Sequence, residues 1–214
     1  MSAARTRVKI CGVRTPEQAL MVAEAGADAV GLVFHEPSPR HVTAEQAERI
    51  ASVLPPFVCA VGLFVNAPAS FVRAVCTQVP LSLLQFHGDE TFDECAQFDK
   101  PFVRAVRVRP GVDLLQFKSG MVPHRHLARG LLVDAYVPGT HGGTGRSFDW
   151  GLLPEALRGE IILSGGLGPD NVREAVTRVR PWAVDVSSGV ERSPGVKDPE
   201  RVTRFIEEVR LADV

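Results

Sequence analysis

The sequence predicts a single α/β domain over residues 1–214, folded as a closed barrel of eight parallel strands, each followed by a helix, (β/α)8. Two observations carry that expectation. Apolar runs of strand length alternate with amphipathic stretches of helix length from one end of the chain to the other, eight times. Three glycine-rich segments, HGGTG at 141–145, SGGLG at 164–168 and DVSSGVE at 185–191, lie behind or at the end of such runs. Backbone at glycine can approach a ligand closely, so its N–H groups can ring a phosphate. Segments of this kind closing successive strands suit one phosphate ester held on the C-terminal face of a parallel barrel.

The elements follow in order. Strands are expected at Val8–Cys11, Ala29–Phe34, Val58–Phe64, Leu83–Phe86, Phe102–Val108, Gly130–Asp134, Ile161–Ser164 and Ala183–Val186. Helices are expected near 16–25, 44–53, 68–78, 91–98, 112–118, 149–157, 170–179 and 199–210. Thr15-Pro16-Glu17, Thr43-Ala44-Glu45, Asp149 before Trp150, Pro169-Asp170-Asn171 and Asp198-Pro199-Glu200 put capping residues, prolines or acids where a first helical turn needs them. The fifth unit is the least regular, because SGMVPHRHLARG interrupts its pattern. At about 27 residues per unit the barrel is compact. An open doubly wound sheet is the rival architecture, but it needs fewer repeats, and a dinucleotide-binding form would carry GxGxxG after its first strand, which is missing here.

Composition narrows the function. Hydrophobic residues make up 45% and charged residues 23%, with a formal net charge of -1, so nothing favours nucleic acid. No apolar run approaches the roughly 18 residues of a membrane span, and MSAARTRVKICG has no apolar core of a secretory signal. Cys11, Cys59, Cys76 and Cys95 are scattered without a CxxC pair, which points away from a zinc site and towards reduced thiols in the cytoplasm. The expected partner is a small phosphorylated molecule, with no metal, and composition leaves monomer and homodimer both open.

Strand alternation sorts the polar residues. In VKICG, Val8 and Ile10 face the helices and send Lys9 and Cys11 inward. In LLVDA, Leu131 and Val133 face outward and Asp134 sits inward at the strand top, and the same argument places Asp185 inside at the end of the last strand. A thiol and a carboxyl across one cavity can serve as base and acid in moving a proton along a carbon chain. Arg40, in the proline-stiffened FHEPSPRHV loop, is either a bidentate clamp for a carboxylate or half of a surface ion pair. His87 either lines the pocket or is hydrogen-bonded scaffolding. Lys9 needs a carboxylate partner inside the barrel, since an unpaired buried ammonium is costly.

With these residues assembled, the chain resembles the phosphoribosylanthranilate isomerases of tryptophan biosynthesis. The match runs in order through VKICGVRT, GLVFHEPSPRHV, VGLFVN, LQFHGDE, LLVDA with GGTGRSFDW, LSGGLGPDNV and DVSSGVERSPGVKD. The resemblance implies a cofactor-free Amadori rearrangement in which Asp134 is the general acid and Cys11 the base, its thiolate favoured by Lys9. It implies further that Arg40 holds the anthranilate carboxylate, that Asp185 orients the substrate, and that Gly143, Gly166, Ser187, Ser188 and Gly189 form the phosphate cradle. Pro37 stands where relatives often carry lysine and His41 where an aromatic residue is common, both at the mouth of the site. The alternatives are another sugar-phosphate isomerase of the same architecture, a metal-dependent epimerase, for which the inward residues are too poor in histidine, and a catalytically silent barrel that binds phosphorylated metabolites. The related isomerase of histidine synthesis uses an aspartate where Cys11 stands.

Overall fold

The computed structural model describes residues 5–108, 111–135 and 150–213. Eight parallel strands close a barrel in chain order: β1 (Arg7–Cys11), β2 (Ala29–Val33), β3 (Cys59–Phe64), β4 (Leu83–Phe86), β5 (Phe102–Val108), β6 (Ala128–Ala135), β7 (Ile161–Leu163) and β8 (Ala183–Val186), with β8 pairing back onto β1. Around them run α1 (Pro16–Glu24), α2 (Ala44–Ser52), α3 (Ala69–Gln78), α4 (Phe92–Ala96), α5 (Leu114–Ser119), α6 (Val172–Val179) and α7 (Pro199–Ala212). Among the described residues no helix is long and apolar enough to cross a membrane.

Every expected strand is present, with ends differing by at most two residues. The period carries this agreement: outward residues such as Ile10, Leu32, Leu84, Leu131 and Val184 are fully buried between sheet and helices, which only alternation within each strand allows. Thr15, Thr43 and Asp198 accept hydrogen bonds from first-turn N–H groups as their sequence context implied. Thr91 and Asp113 do the same for α4 and α5.

Two expectations fail. The helix expected over 149–157 is not α-helical where it is described; Trp150–Leu152 and Glu155–Leu157 are separate 3-10 turns. Pro154 between them has no N–H to donate, and its ring blocks a continuous α-helix. Asn171 occupies the N-cap position of α6 without capping it. Its side chain serves the preceding loop instead, as described below.

The barrel interior is layered. Val103, Ala105, Leu132, Ile162 and Ala183 form an apolar plug at the N-terminal side, and Cys11, Val33 and Leu63 cluster at the opposite end. Polar inward residues lie at and just below that C-terminal end: Lys9 on β1, Gln85 on β4, Asp134 on β6 and Asp185 on β8. Gly31 on β2 makes this possible, since a Cβ there would stand 2.7 Å from Cys11 Sγ and 3.0 Å from Lys9 Nζ. After β8 the chain adds a small antiparallel hairpin, β9 (Glu191–Ser193) and β10 (Val196–Lys197), before α7.

Candidate active site

Cys11 ends β1 with its side chain inside the barrel mouth, and the residue is 5% exposed. Lys9, one layer below, lies in register with Asp185 on the neighbouring strand and donates to its Oδ1 at 2.8 Å. This is the partner that the sequence could not name. Burial alone would lower the Lys9 ammonium, but the charges of Asp185 and Cys11 outweigh it and hold the group above its ordinary range. Around Cys11 the balance falls the other way. Burial pushes the thiol up and Asp185 adds to the rise, while Lys9 and Lys197 pull it down without cancelling it. Lys9 thus favours the thiolate as expected, yet burial sets the net direction.

Arg40 is in an ion pair, but not a surface one. Its Nε and Nη2 both donate to the Glu191 carboxylate at 2.8 Å, and Glu191 is 4% exposed at its side chain. The same carboxylate receives Lys197 Nζ at 2.8 Å, from a lysine side chain with no exposure at all. Burial raises the Glu191 carboxyl, but the bonds from Arg40 and Lys197 bring it below the ordinary carboxylate range. Lys197 is lowered by burial against the pull of Glu191. The arginine stem runs over Gly12, whose left-handed φ of +79° no side chain would favour and whose Cβ would meet Arg40 Cδ at 2.5 Å. Arg40 Nη1 makes no hydrogen bond among the described residues.

Opposite, Asp134 near the end of β6 is 3% exposed and lies 3.0 Å from His87 Nε2. His87 Nδ1 is in turn 3.1 Å from the Gln85 amide. His87 is therefore both buried scaffolding and a direct neighbour of the carboxyl at the mouth. Its backbone carbonyl also accepts from Arg107 Nη2 at 3.3 Å.

The glycine-rich loops after β7 and β8 interlock. Gly165 and Gly166 adopt φ of +89° and +65°. Asn171 staples this loop, accepting from Gly168 N–H at 2.8 Å and donating to Gly166 carbonyl oxygen at 2.9 Å. Gly189 sits so close to it that a Cβ would lie 2.0 Å from the Leu167 carbonyl oxygen. Ser187 ends the strand run, its hydroxyl donating to the Cys11 carbonyl at 2.9 Å, and Ser188–Val190 form one 3-10 turn. Gly143, expected in the same cradle, lies outside the described residues.

Sequence reasoning missed Gln85, Glu191 and Lys197. Gln85 was within reach, because LQFH alternates and puts Gln85 on the same inward face as His87. For Glu191 and Lys197 the only signal was Pro194-Gly195, a turn pair that brings the two ends of a short hairpin together.

Comparison with known proteins identifies the family. A family model described as N-(5'phosphoribosyl)anthranilate (PRA) isomerase matches residues 8–208. The N-(5'-phosphoribosyl)anthranilate isomerase of Azotobacter vinelandii is 54% identical over 213 residues, covering 98% of this chain and 100% of that protein. Its counterpart from Thiobacillus denitrificans is 52% identical, covering 96% and 98%. The crystal structure of phosphoribosyl anthranilate isomerase from Thermotoga maritima superposes with a TM-score of 0.82 at 40% identity, covering 96% of this chain and 98% of that one. A further such structure, in complex with reduced 1-(o-carboxyphenylamino)-1-deoxyribulose 5-phosphate, gives a TM-score of 0.79 at 38% identity, with the same coverage. Fold, motif order and full-length identity converge, and the chain belongs to the N-(5'-phosphoribosyl)anthranilate isomerase family.

Proposed function

We propose that the chain performs its family's isomerisation with Asp134 as general acid and Cys11 as general base, converting N-(5-phosphoribosyl)anthranilate to 1-(2-carboxyphenylamino)-1-deoxyribulose 5-phosphate in L-tryptophan biosynthesis. The observation that carries this reading is the placement of a buried carboxyl and a buried thiol at the C-terminal ends of β6 and β1, both facing one barrel mouth above an apolar plug.

The chemistry follows from those positions. Asp134 gives a proton to the furanose ring oxygen; the bond from that oxygen to C1 breaks, and the anilino nitrogen lone pair forms C1=N⁺. The iminium acidifies the C2–H, so a thiolate of modest basicity suffices to remove it, a free cysteine having a pKa of about 8.5 before its surroundings act. The C–H electron pair becomes C1=C2 and neutralises nitrogen. When C1 takes up a proton and the C2 enol hydroxyl releases one, the ketone forms and both groups return to their starting states.

Gln85 and His87 fit the acid's two states. With the Gln85 amide donating to His87 Nδ1, the ring N–H lies on Nε2 and is donated to the Asp134 carboxylate. In that arrangement Gln85 Oε1 is buried without a partner among the described residues. Turning the amide over pairs Oε1 with Nδ1–H, and Nε2 then accepts from a protonated Asp134.

For binding, Arg40 offers Nη1 to the anthranilate carboxylate, and Asp185 orients the sugar from its position beside Lys9. The backbone of Gly166, Ser187, Ser188 and Gly189, with Gly143, holds the phosphate. The test is conversion of phosphoribosylanthranilate by the purified chain, followed as loss of substrate fluorescence. Cys11→Ser and Asp134→Asn should stay folded and lose about 10²–10⁴ in kcat. Asp134→Asn should still bind the reduced product analogue. Wild-type turnover by either variant would remove that residue from the mechanism.

A further inference from the structure

Five charged side chains crowd the base side of the mouth, from β1, β8, the loop after β2, and the hairpin. Lys9 is matched by Asp185 at 2.8 Å. Arg40 is matched by Glu191 through two bonds in parallel. Lys197 also bonds Glu191, so one carboxylate serves two cations. Taken together, Lys9, Arg40 and Lys197 face only Asp185 and Glu191, and one positive charge has no anion of its own among the described residues.

The unmatched charge belongs to Lys197 in its effect. Arg40 keeps 13% of its side chain exposed and has a free Nη1 with which to meet a ligand anion. Lys197 is wholly enclosed and cannot touch a ligand. What its ammonium does touch is the chain that holds the base: it donates to the Ser187 carbonyl at 3.1 Å and lies 3.4 Å from Ser187 Oγ, and that hydroxyl donates to the Cys11 carbonyl at 2.9 Å. Little water screens an enclosed cation from a buried thiol nearby, so Lys197, one hydrogen-bonded residue away through Ser187, adds to the stronger pull of Lys9, which also hydrogen-bonds the thiol.

We propose that Lys197 is a second cation, behind Lys9, that favours the Cys11 thiolate, a positioning residue that acts on the base through the loop after β8 and never on the ligand. This rests on the reading of Cys11 as general base. Both observed directions fit the geometry: Lys197 pulls the Cys11 thiol down, and Cys11 in turn holds the Lys197 ammonium up. The arrangement also tolerates its own test, since removing Lys197 leaves Glu191 paired with Arg40 and strands no charge.

The experiment is alkylation of Cys11 by iodoacetamide as a function of pH, resolved by mass spectrometry at each cysteine, with the half-exposed Cys76 as internal reference. In Lys197→Met the midpoint at Cys11 should rise by about half a unit to one unit, the size expected for loss of one nearby charge, and the acid limb of kcat/KM should move with it. Lys197→Arg should restore most of the shift. Glu191→Gln should move the midpoint in the opposite direction, because it enlarges the excess of positive charge. A purely structural role would disturb both variants in the same sense. A folded Lys197→Met with an unchanged Cys11 midpoint overturns the proposal; if that variant does not fold, an unchanged or raised midpoint in Glu191→Gln does so. Alkylation needs no turnover, so failure of the base assignment, shown by an active Cys11→Ser, is separately visible.

Discussion

Replacing Arg40 with alanine separates its ion pair with Glu191 from the binding role proposed for it. Within the protein, the substitution removes two 2.8 Å bonds to Glu191 but leaves that carboxylate bonded to Lys197 at 2.8 Å. A carboxylate stranded in the interior costs about 3–5 kcal/mol; one that keeps a lysine should lose only charge-assisted hydrogen bonding, about 1–3 kcal/mol. For a chain of this length that lowers Tm by about 2–12 °C, so the variant remains folded at assay temperature. Towards the ligand, the carboxylate of anthranilate carries the same charge in substrate, transition state and product. Its loss of a partner therefore falls on binding, by about 1.5–3 kcal/mol, and leaves kcat largely unchanged. That corresponds to a roughly 10- to 150-fold rise in KM and in the dissociation constant of the reduced product analogue. Steady-state kinetics and calorimetric titration of the analogue measure both. An unchanged analogue affinity, with a Tm drop alone, would show that Arg40 serves only to pin Glu191 and that the carboxylate is held elsewhere.

Two other perturbations test the loops and the ion network. Gly189→Ala places a methyl against the Leu167 carbonyl oxygen, where a Cβ would lie at 2.0 Å, so the loops after β7 and β8 must separate. Inorganic phosphate should then cease to protect the enzyme thermally while the barrel still folds, and phosphate protection equal to wild type would sink the cradle assignment. The Glu191 carboxyl is held below its ordinary range in the folded state. Its contribution to stability is present above the unfolded carboxyl's pKa of about 4.3 and is lost as pH falls through the lower folded value. The Tm of Glu191→Gln should accordingly fall less steeply than that of wild type between about pH 5 and pH 2.5, and parallel curves would contradict the shift.

What the sequence made legible was whatever depends on neighbours a few residues apart. Alternation within VKICG, LLVDA and AVDVSSG put Lys9, Cys11, Asp134 and Asp185 inside the barrel, and all four are there. Pro154 defeated the sixth helix because its neighbours keep an apolar pattern that suits a helix while its own backbone cannot continue one. Partners were illegible for a different reason. Lys9 and Asp185 are 176 residues apart, and Arg40 and Glu191 are 151 apart. Only closure of β8 onto β1 makes the first pair adjacent, and only the hairpin after β8 carries Glu191 back to the loop after β2. Arg40 could be read as a clamp or as half of a surface ion pair, and the structure makes it half of a buried ion pair with Glu191.

On the proposed reading, the base and the acid differ in what they need from their surroundings. The proposed base must become an anion before it can act, and its surroundings among the described residues, from β1, β8, the loop after β2 and the hairpin, hold three positive charges against two negative. The proposed acid must give up a proton and recover it; from His87, which follows β4, and Gln85 on β4 it meets an imidazole and an amide whose hydrogen bonds can reverse direction, with Arg107 in register on β5. A parallel barrel suits this division of labour, because each strand end brings its own loop and inward side chains to the shared mouth. Acid and base can thus be furnished from different strands, β6 and β1, that meet at one mouth.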